Sequence, residues 1–315
     1  MAVQTQTAPA SGTLELVEPE RKQRTLWGDV WRRFRRHKLA MLGTVVFGAL
    51  VLLMVLGPYI YTNDPQYADT TYVILNGAEP SEKYILGTDD IGRDTLARNL
   101  HGGRISLAVG IVAMLVAILI GTLIGLLSGF FPSLDGPLMR FTDMMLAIPG
   151  IPLLLVISML FRDAMRRSFG VDLGTFLLIV IVIGILAWMP TARVVRGAVL
   201  SVKEKEFVEA STSVGARESK IIFRHILPNV LSPVIVSATL GIAGAILTES
   251  TISFLGLGFP PDVPTWGTLV VEGQGYLEIQ PWLSVIPGIL ISLTILSINF
   301  IGDGLRDALD PRTRK

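Results

Sequence analysis

Between residues 203 and 228 the chain reads KEKEFVEASTSVGARESKIIFRHILP, a charged island set among long apolar runs. It carries nine ionisable side chains besides His225: Lys203, Glu204, Lys205, Glu206, Glu209, Arg217, Glu218, Lys220 and Arg224. At about 3 kcal/mol per charge at a bilayer centre, burying them would cost on the order of 25 kcal/mol. The segment must therefore stand in water between two membrane spans. A polar helix-turn-helix in that position reads as a docking surface for a soluble partner.

Six runs are long and apolar enough to cross a bilayer, near 39–60, 105–130, 144–161, 173–190, 230–247 and 283–301. The fold class predicted is all-α, a polytopic membrane protein with six transmembrane helices. Only 17% of the 315 residues are charged, too few to coat a soluble protein of this length. Pro149 and Pro152 interrupt the third run and are expected to bend it. Gly121, Gly125 and Gly129 recur every fourth residue, a stripe suited to close helix packing. No internal repeat supports an inverted-repeat carrier.

Basic residues set the orientation. With a cytoplasmic N-terminus, inside segments hold 20 Lys and Arg and outside segments hold 6, with Arg104 at a boundary. Both termini and the charged island are then expected in the cytoplasm, and the protein in a bacterial or archaeal inner membrane. The short outer loop with Arg162, Arg166 and Arg167 runs against the rule locally. No cleavable signal is visible. Residues 25–38, TLWGDVWRRFRRHK, place Trp27, Val30, Trp31 and Phe34 at helical spacing opposite arginines. That pattern fits a helix lying on the membrane surface. The expected organisation is a disordered tail over 1–24, this interfacial helix over 25–38 and a first span over 39–61. An outer loop follows over 62–103, then a five-span core over 104–305 with its coupling loop at 198–229, and a tail over 306–315.

Within the island, Ser201 and Glu204 form an S-x-x-E capping box, a start signal for a helix. That helix would carry Phe207, Ser211 and Val214 on one face, with Glu206 and Glu209 beside it. Gly215 suits a left-handed C-terminal position. A second helix is expected from about Ala216 until Pro228 breaks or kinks it. The result is a short stiff rod joined to the fourth and fifth spans. Arg193 and Arg196 are expected to anchor the end of span four that leads into it.

Here the residues carry a resemblance. Glu209, Ala210, Ser211 and Gly215, with Ile226, Leu227 and Pro228 behind them, resemble the EAA loop of ABC importer permeases. The chain departs from that pattern at Ser211, where a second Ala is usual, and has His225 in the place before Ile226. Further runs are similar to the C-type subunit of the dipeptide/oligopeptide/nickel branch: 86–110, WMPTARVVRGAVLS at 188–201, SFLGLGFPPDVPTWG at 253–267, and DALDPR at 307–312. The resemblance covers nearly the whole chain and implies a type I importer permease fold. It also implies a second homologous permease subunit, two cytoplasmic ATPase subunits that bind ATP and magnesium, and an extracytoplasmic solute-binding protein. The ATPase-coupling residues would be Glu206, Phe207, Glu209, Ala210, Ser211, Gly215 and Ala216, supported by Arg193, Arg196 and Pro228. Peptides are the expected cargo, with nickel or another small solute as the alternative.

Two ionisable residues sit at or near span ends, where function is the first question. Asp143 is expected to pair with Arg140, one helical turn away, the alternative being a place in the pathway. Glu249 stands open between lining the pathway or a gate and making a helix-end contact. The Asp-rich patch 88–94 is expected to form a satisfied loop network. Having no cysteine, the chain has no thiol chemistry, and His37, His101 and His225 are too far apart for a zinc site or catalytic pairing. No G-x4-G-K-[ST] phosphate loop is present, so ATP hydrolysis would fall to partners. A polytopic membrane enzyme and a proton-coupled carrier are disfavoured: no histidine lies within a span, and titratable groups there are scarce. No cofactor is expected on this chain.

Overall fold

The computed structural model describes residues 26–73 and 79–309. The expected tail 1–24, and the part of tail 306–315 beyond Leu309, lie outside the described residues. Among these residues all regular structure is helical, and strand-like pairing is confined to two bridges, Ala68 with Arg93 and Thr88 with Asp94.

Helix α1 (Leu26–Arg36) carries Arg33, Arg35 and Arg36 in its last turn. Its Phe34 is buried against Ala40 and Ala308, while Trp31 stays exposed and stacks on the Phe34 ring. Helix α1 is thus pinned to the last long helix as well as to the helix that follows it. His37 ends α1 and caps α2 (Lys38–Ile60), its Nδ1 accepting the Ala40 N–H at 3.1 Å. After the short α3 (Thr70–Val73), Asp94 caps α4 (Thr95–Phe130) by accepting from the Ala97 N–H.

The third expected span is not one helix. It divides into α5 (Pro132–Ala147) and α6 (Gly150–Phe169), which meet at 87°. Pro149 stands at the break: its missing N–H and its clash with the preceding turn prevent the helix from running through. By contrast, α7 (Val171–Lys203) passes straight through Pro190, where span four was expected to end. Buried neighbours on packed helices make such a proline tolerable within a membrane.

Helix α8 (Glu206–Ser213) and α9 (Glu218–Ile221) form the polar elbow, followed by a π-turn over Ile222–Ile226. The last long elements are α10 (Leu227–Phe254), the short α11 (Trp266–Gln274) and α12 (Trp282–Leu309). Among the described residues five helices are long and apolar enough to cross a membrane, and six spans result when the bent α5–α6 pair counts as one.

Two long helices form the centre. Gly121, Gly125 and Gly129 of α4 press against Thr191, Val195 and Val199 of α7. A Cβ added at Gly125 would lie 2.6 Å from the Val195 Cβ and 2.7 Å from the Ala192 carbonyl oxygen. Only a hydrogen in that place lets the backbones approach so closely. A cluster of Met114, Ala117, Trp188, Met189 and Ala192 fills the seam itself, and three larger apolar clusters lie around it. One joins α4, α6, α7 and α10; the second joins α2, α4, α10, α11 and α12 around buried Trp266; the third gathers Val199, Val202, Ile226 and Val230 beneath the elbow.

Candidate functional site

Where α7 leaves the apolar bundle, its cations are tied to α5. The Arg196 guanidinium meets Asp135 at two points, Nε to Oδ1 at 2.5 Å and Nη2 to Oδ2 at 2.7 Å. Arg193 donates to Asp143 at 2.5 Å. This corrects the expected Arg140–Asp143 pair: Asp135 and Asp143 lie eight residues apart on α5 and both meet α7, whose arginines satisfy them. Lys203 closes the end, its Nζ donating to the Phe130 carbonyl at 2.7 Å over the Phe130 ring. Arg193 and Arg196 therefore fasten the root of the elbow to the bent third span.

The capping box does not form. Ser201 remains inside α7, which runs on to Lys203, and α8 starts after Lys205 with no side-chain cap. Burial of Val202 in the cluster below keeps the α7 helix going past the local signal. The eight-residue α8 has one buried residue, Val208, which packs with Val202, Ile221 and Ile226. Glu206, Phe207, Glu209 and Ala210 point outward; Phe207 is 41% exposed, a large ring presented to solvent. Ser211 shares the Phe207 face, as the spacing implied, donating to the Phe207 carbonyl at 2.8 Å, while Val214 is exposed at the helix end.

Gly215 ends α8 with φ of +75°. Its N–H donates to the Thr212 carbonyl, and the next N–H, of Ala216, donates to Ser211. These two bonds make a Schellman close, which needs the left-handed conformation that glycine adopts without strain. Ala216 is half-buried against the cluster under the elbow.

Pro228 does not break the second helix, which was one of the two outcomes expected of it. From Glu218 to Phe254 the chain forms one helical span, with Pro228 in the first turn of α10. The π-turn absorbs the misfit: the Leu227 N–H reaches back five residues to the Ile222 carbonyl. That widened turn shifts the hydrogen-bond register just before the proline, whose own N–H is missing.

At the opposite end of the bundle, Glu249 is fully enclosed near the end of α10. The Ser253 hydroxyl donates to its Oε1 at 2.9 Å and the Ser106 hydroxyl to its Oε2 at 3.2 Å. Ser106 in turn accepts the Trp266 N–H at 3.1 Å, so one carboxyl group joins α4, α10 and the start of α11. Here Glu249 is a contact between helices of its own chain.

The Asp-rich patch forms a hydrogen-bonded loop network, as expected, and it extends further than its sequence suggests, to Arg98, whose buried Nε alone is left without a partner in that side chain. Asp89 accepts from Arg93 Nε at 2.7 Å and from Arg98 Nη1 at 3.1 Å. Both arginines also reach Glu272 of α11, Arg98 at 2.7 Å, and both donate to the Pro261 carbonyl. Burial pushes the Glu272 carboxyl up to about 7, against the pull of Arg93 and helped by Asp89, Asp90 and Asp262. Burial likewise raises Asp89 above the usual carboxylate range. Beside it, Asp94 accepts from the Tyr61 hydroxyl at 2.5 Å and from Asn63 at 2.7 Å. Asp69 is held well below the ordinary carboxylate range by the Lys83 ammonium 2.7 Å away. Sequence reasoning missed Glu272, Arg98 and Asp135 as partners. The one available signal was complementary charge, since acidic Glu272 sits in a segment, 250–282, without a basic residue.

Residues 117–315 match the family described as binding-protein-dependent transport system inner membrane component, and residues 25–77 match the N-terminal TM domain of oligopeptide transport permease C. The chain is 40% identical to the oligopeptide transport system permease protein OppC of Haemophilus influenzae, over 94% of this chain and 92% of that one. It is 42% identical to the OppC of Escherichia coli K12, over 92% and 93%. It is 36% identical to the dipeptide transport system permease protein DppC of H. influenzae, over 91% and 95%. Among solved structures, a chain of the inward-facing MetNI methionine ABC transporter shares the fold, with a TM-score of 0.51 at 21% identity over 66% of this chain and 94% of that one. A bundle of five or six spans, a polar elbow between the fourth and fifth, and these matches along nearly its full length place the chain in the family of binding-protein-dependent inner-membrane transport components, the multi-pass permeases of ABC importers.

Proposed function

We propose that this chain is one permease subunit of an ATP-driven importer for di- and oligopeptides, forming half of the translocation pathway beside a second, homologous permease. It performs no chemistry itself. Two cytoplasmic ATPase subunits bind and hydrolyse ATP, a solute-binding protein delivers cargo at the far end, and both termini face the cytoplasm. The observation that carries this reading is α8, a short helix with Phe207, Glu206, Glu209 and Ala210 outward, one apolar foot at Val208, and a span on either side. Such a helix can pass a push from a soluble protein into α7 and α10 together. The peptide cargo is supported by the names of the relatives; nickel or another small solute on the same scaffold is the alternative.

The test is reconstitution of the complete transporter in proteoliposomes, with uptake of labelled peptide and ATP turnover measured together. Glu209→Lys and Gly215→Val are expected to leave membrane insertion intact and to separate hydrolysis from uptake. Normal peptide uptake in both variants would overturn docking through α8. Uptake of nickel but not of peptide would replace the cargo and keep the mechanism.

A further inference from the structure

The elbow has a second fixing point that its family resemblance does not supply. Ser211 Oγ lies 3.4 Å from His225 Nε2, joining α8 to the π-turn at the base of span five. The proton inventory sets the direction of this contact. The Ser211 hydroxyl already donates to the Phe207 carbonyl at 2.8 Å. Towards His225 it therefore accepts, and the imidazole presents its N–H at Nε2. The Phe207 and His225 rings stand 6.1 Å apart at 47°, so the same histidine also backs the outward-facing aromatic of α8.

The π-turn contributes to this placement. Ile221 and Ile226 are both buried in the cluster under the elbow, yet they lie five residues apart. At 3.6 residues per turn such a pair would diverge by about 140°. The Leu227-to-Ile222 bond of the widened turn keeps both on the buried seam. His225, next to Ile226, then stands at the edge of that seam beside α8, with its own carbonyl held by the Asn229 side chain at 2.7 Å.

Mechanically, a helix of eight residues resting on Val208 alone is free to roll about that foot. A contact at Ser211, one turn further along, removes the roll. We infer that Ser211 and His225 form a clasp that sets the angle at which α8 presents Phe207 and Glu209 to the ATPase, His225 being a positioning residue for coupling. The clasp rests on the docking function proposed for α8.

The experiment uses the complete transporter in proteoliposomes and reads solute moved per ATP hydrolysed. Ser211→Ala and His225→Ala are each expected to lower that ratio about fivefold, the worth of one hydrogen bond. The double variant should be no worse than either single one, because both remove the same contact. His225→Gln should recover most of the ratio, since its amide N–H can reach the place of the imidazole N–H. Losses that multiply in the double variant, unchanged ratios in the singles, or no recovery with Gln would each overturn the clasp. Glu209→Lys runs alongside to separate the two readings. If it uncouples while the clasp variants do not, only the clasp falls; if it too leaves the ratio unchanged, docking through α8 falls and the clasp with it.

Discussion

Arg196 of α7 and Asp135 of α5, 61 residues apart, share two short hydrogen bonds at the point where the fourth span leaves the bundle. Each side chain is about one-third exposed or less, so water screens the pair only in part. Asp135→Asn is expected to destabilise the chain by about 1–2 kcal/mol, as for a partly buried charged hydrogen-bond pair. Exchanging the charges, Asp135→Arg with Arg196→Asp, should recover part of the loss. Thermal unfolding in detergent checks this, and a double variant no better than the single one removes the pair from the account.

The carboxyl of Glu272, raised to about 7 by burial, gives the network around Asp89 a pH dependence of definite sign. Its unfolded value is near 4.5. Between the two values the folded chain holds a proton that the unfolded chain has lost, so this group adds stability as pH falls from about 7 to 4.5. That contribution disappears as pH rises through 7. Protection factors across α11, that is, the intrinsic rate at each pH divided by the exchange rate, should rise as pH falls over this window in the native protein and lose the trend in Glu272→Gln. An equal trend in the variant would assign the effect elsewhere.

Gly125 and Gly197 make a matched pair for testing the central seam. An added Cβ at Gly125 meets Val195 and the Ala192 carbonyl, whereas at Gly197 it meets nothing within 4 Å. Gly125→Ala is expected to cost about 1–3 kcal/mol through overpacking. Gly197→Ala should be neutral or stabilising by up to about 1 kcal/mol, through the reduced freedom of the unfolded chain. Melting temperatures of the two variants decide; similar values would show that the α4–α7 contact is slack.

Glu249 accepts from two serines, one of which holds the Trp266 N–H. Glu249→Gln retains a carbonyl acceptor and should cost little. Glu249→Leu leaves buried hydroxyls unpaired and should cost about 1–3 kcal/mol. The loss should appear first as faster hydrogen exchange at the start of α11. If Gln proves as damaging as Leu, the negative charge itself is what the site requires.

Much of this architecture was legible in the sequence because its causes are local. Apolar run length marks the spans, and the density of charge at 203–228 marks the elbow. Gly215 could be assigned its left-handed turn because no other residue adopts that backbone as easily. The failures share one cause, which is packing from a distance. The Ser201–Glu204 signal lost to the burial of Val202, and Pro190 was carried through by α7 within the bundle. Asp143 found Arg193 on another helix rather than its neighbour in the chain. The Arg98–Glu272 contact spans 174 residues, and no spacing rule reaches that far.

Helix α7 has 33 residues, about 50 Å at 1.5 Å per residue, whereas a hydrocarbon layer is about 30 Å thick. The apolar stretch before Arg193 is by itself about long enough to cross that layer, and the turns from Arg193 to Lys203 are surplus length that stays packed on α4 at Gly125 and Gly129. The docking proposed for α8 would then take place beyond the hydrocarbon layer. A soluble engine can act on the buried helices while keeping its own surface entirely wet.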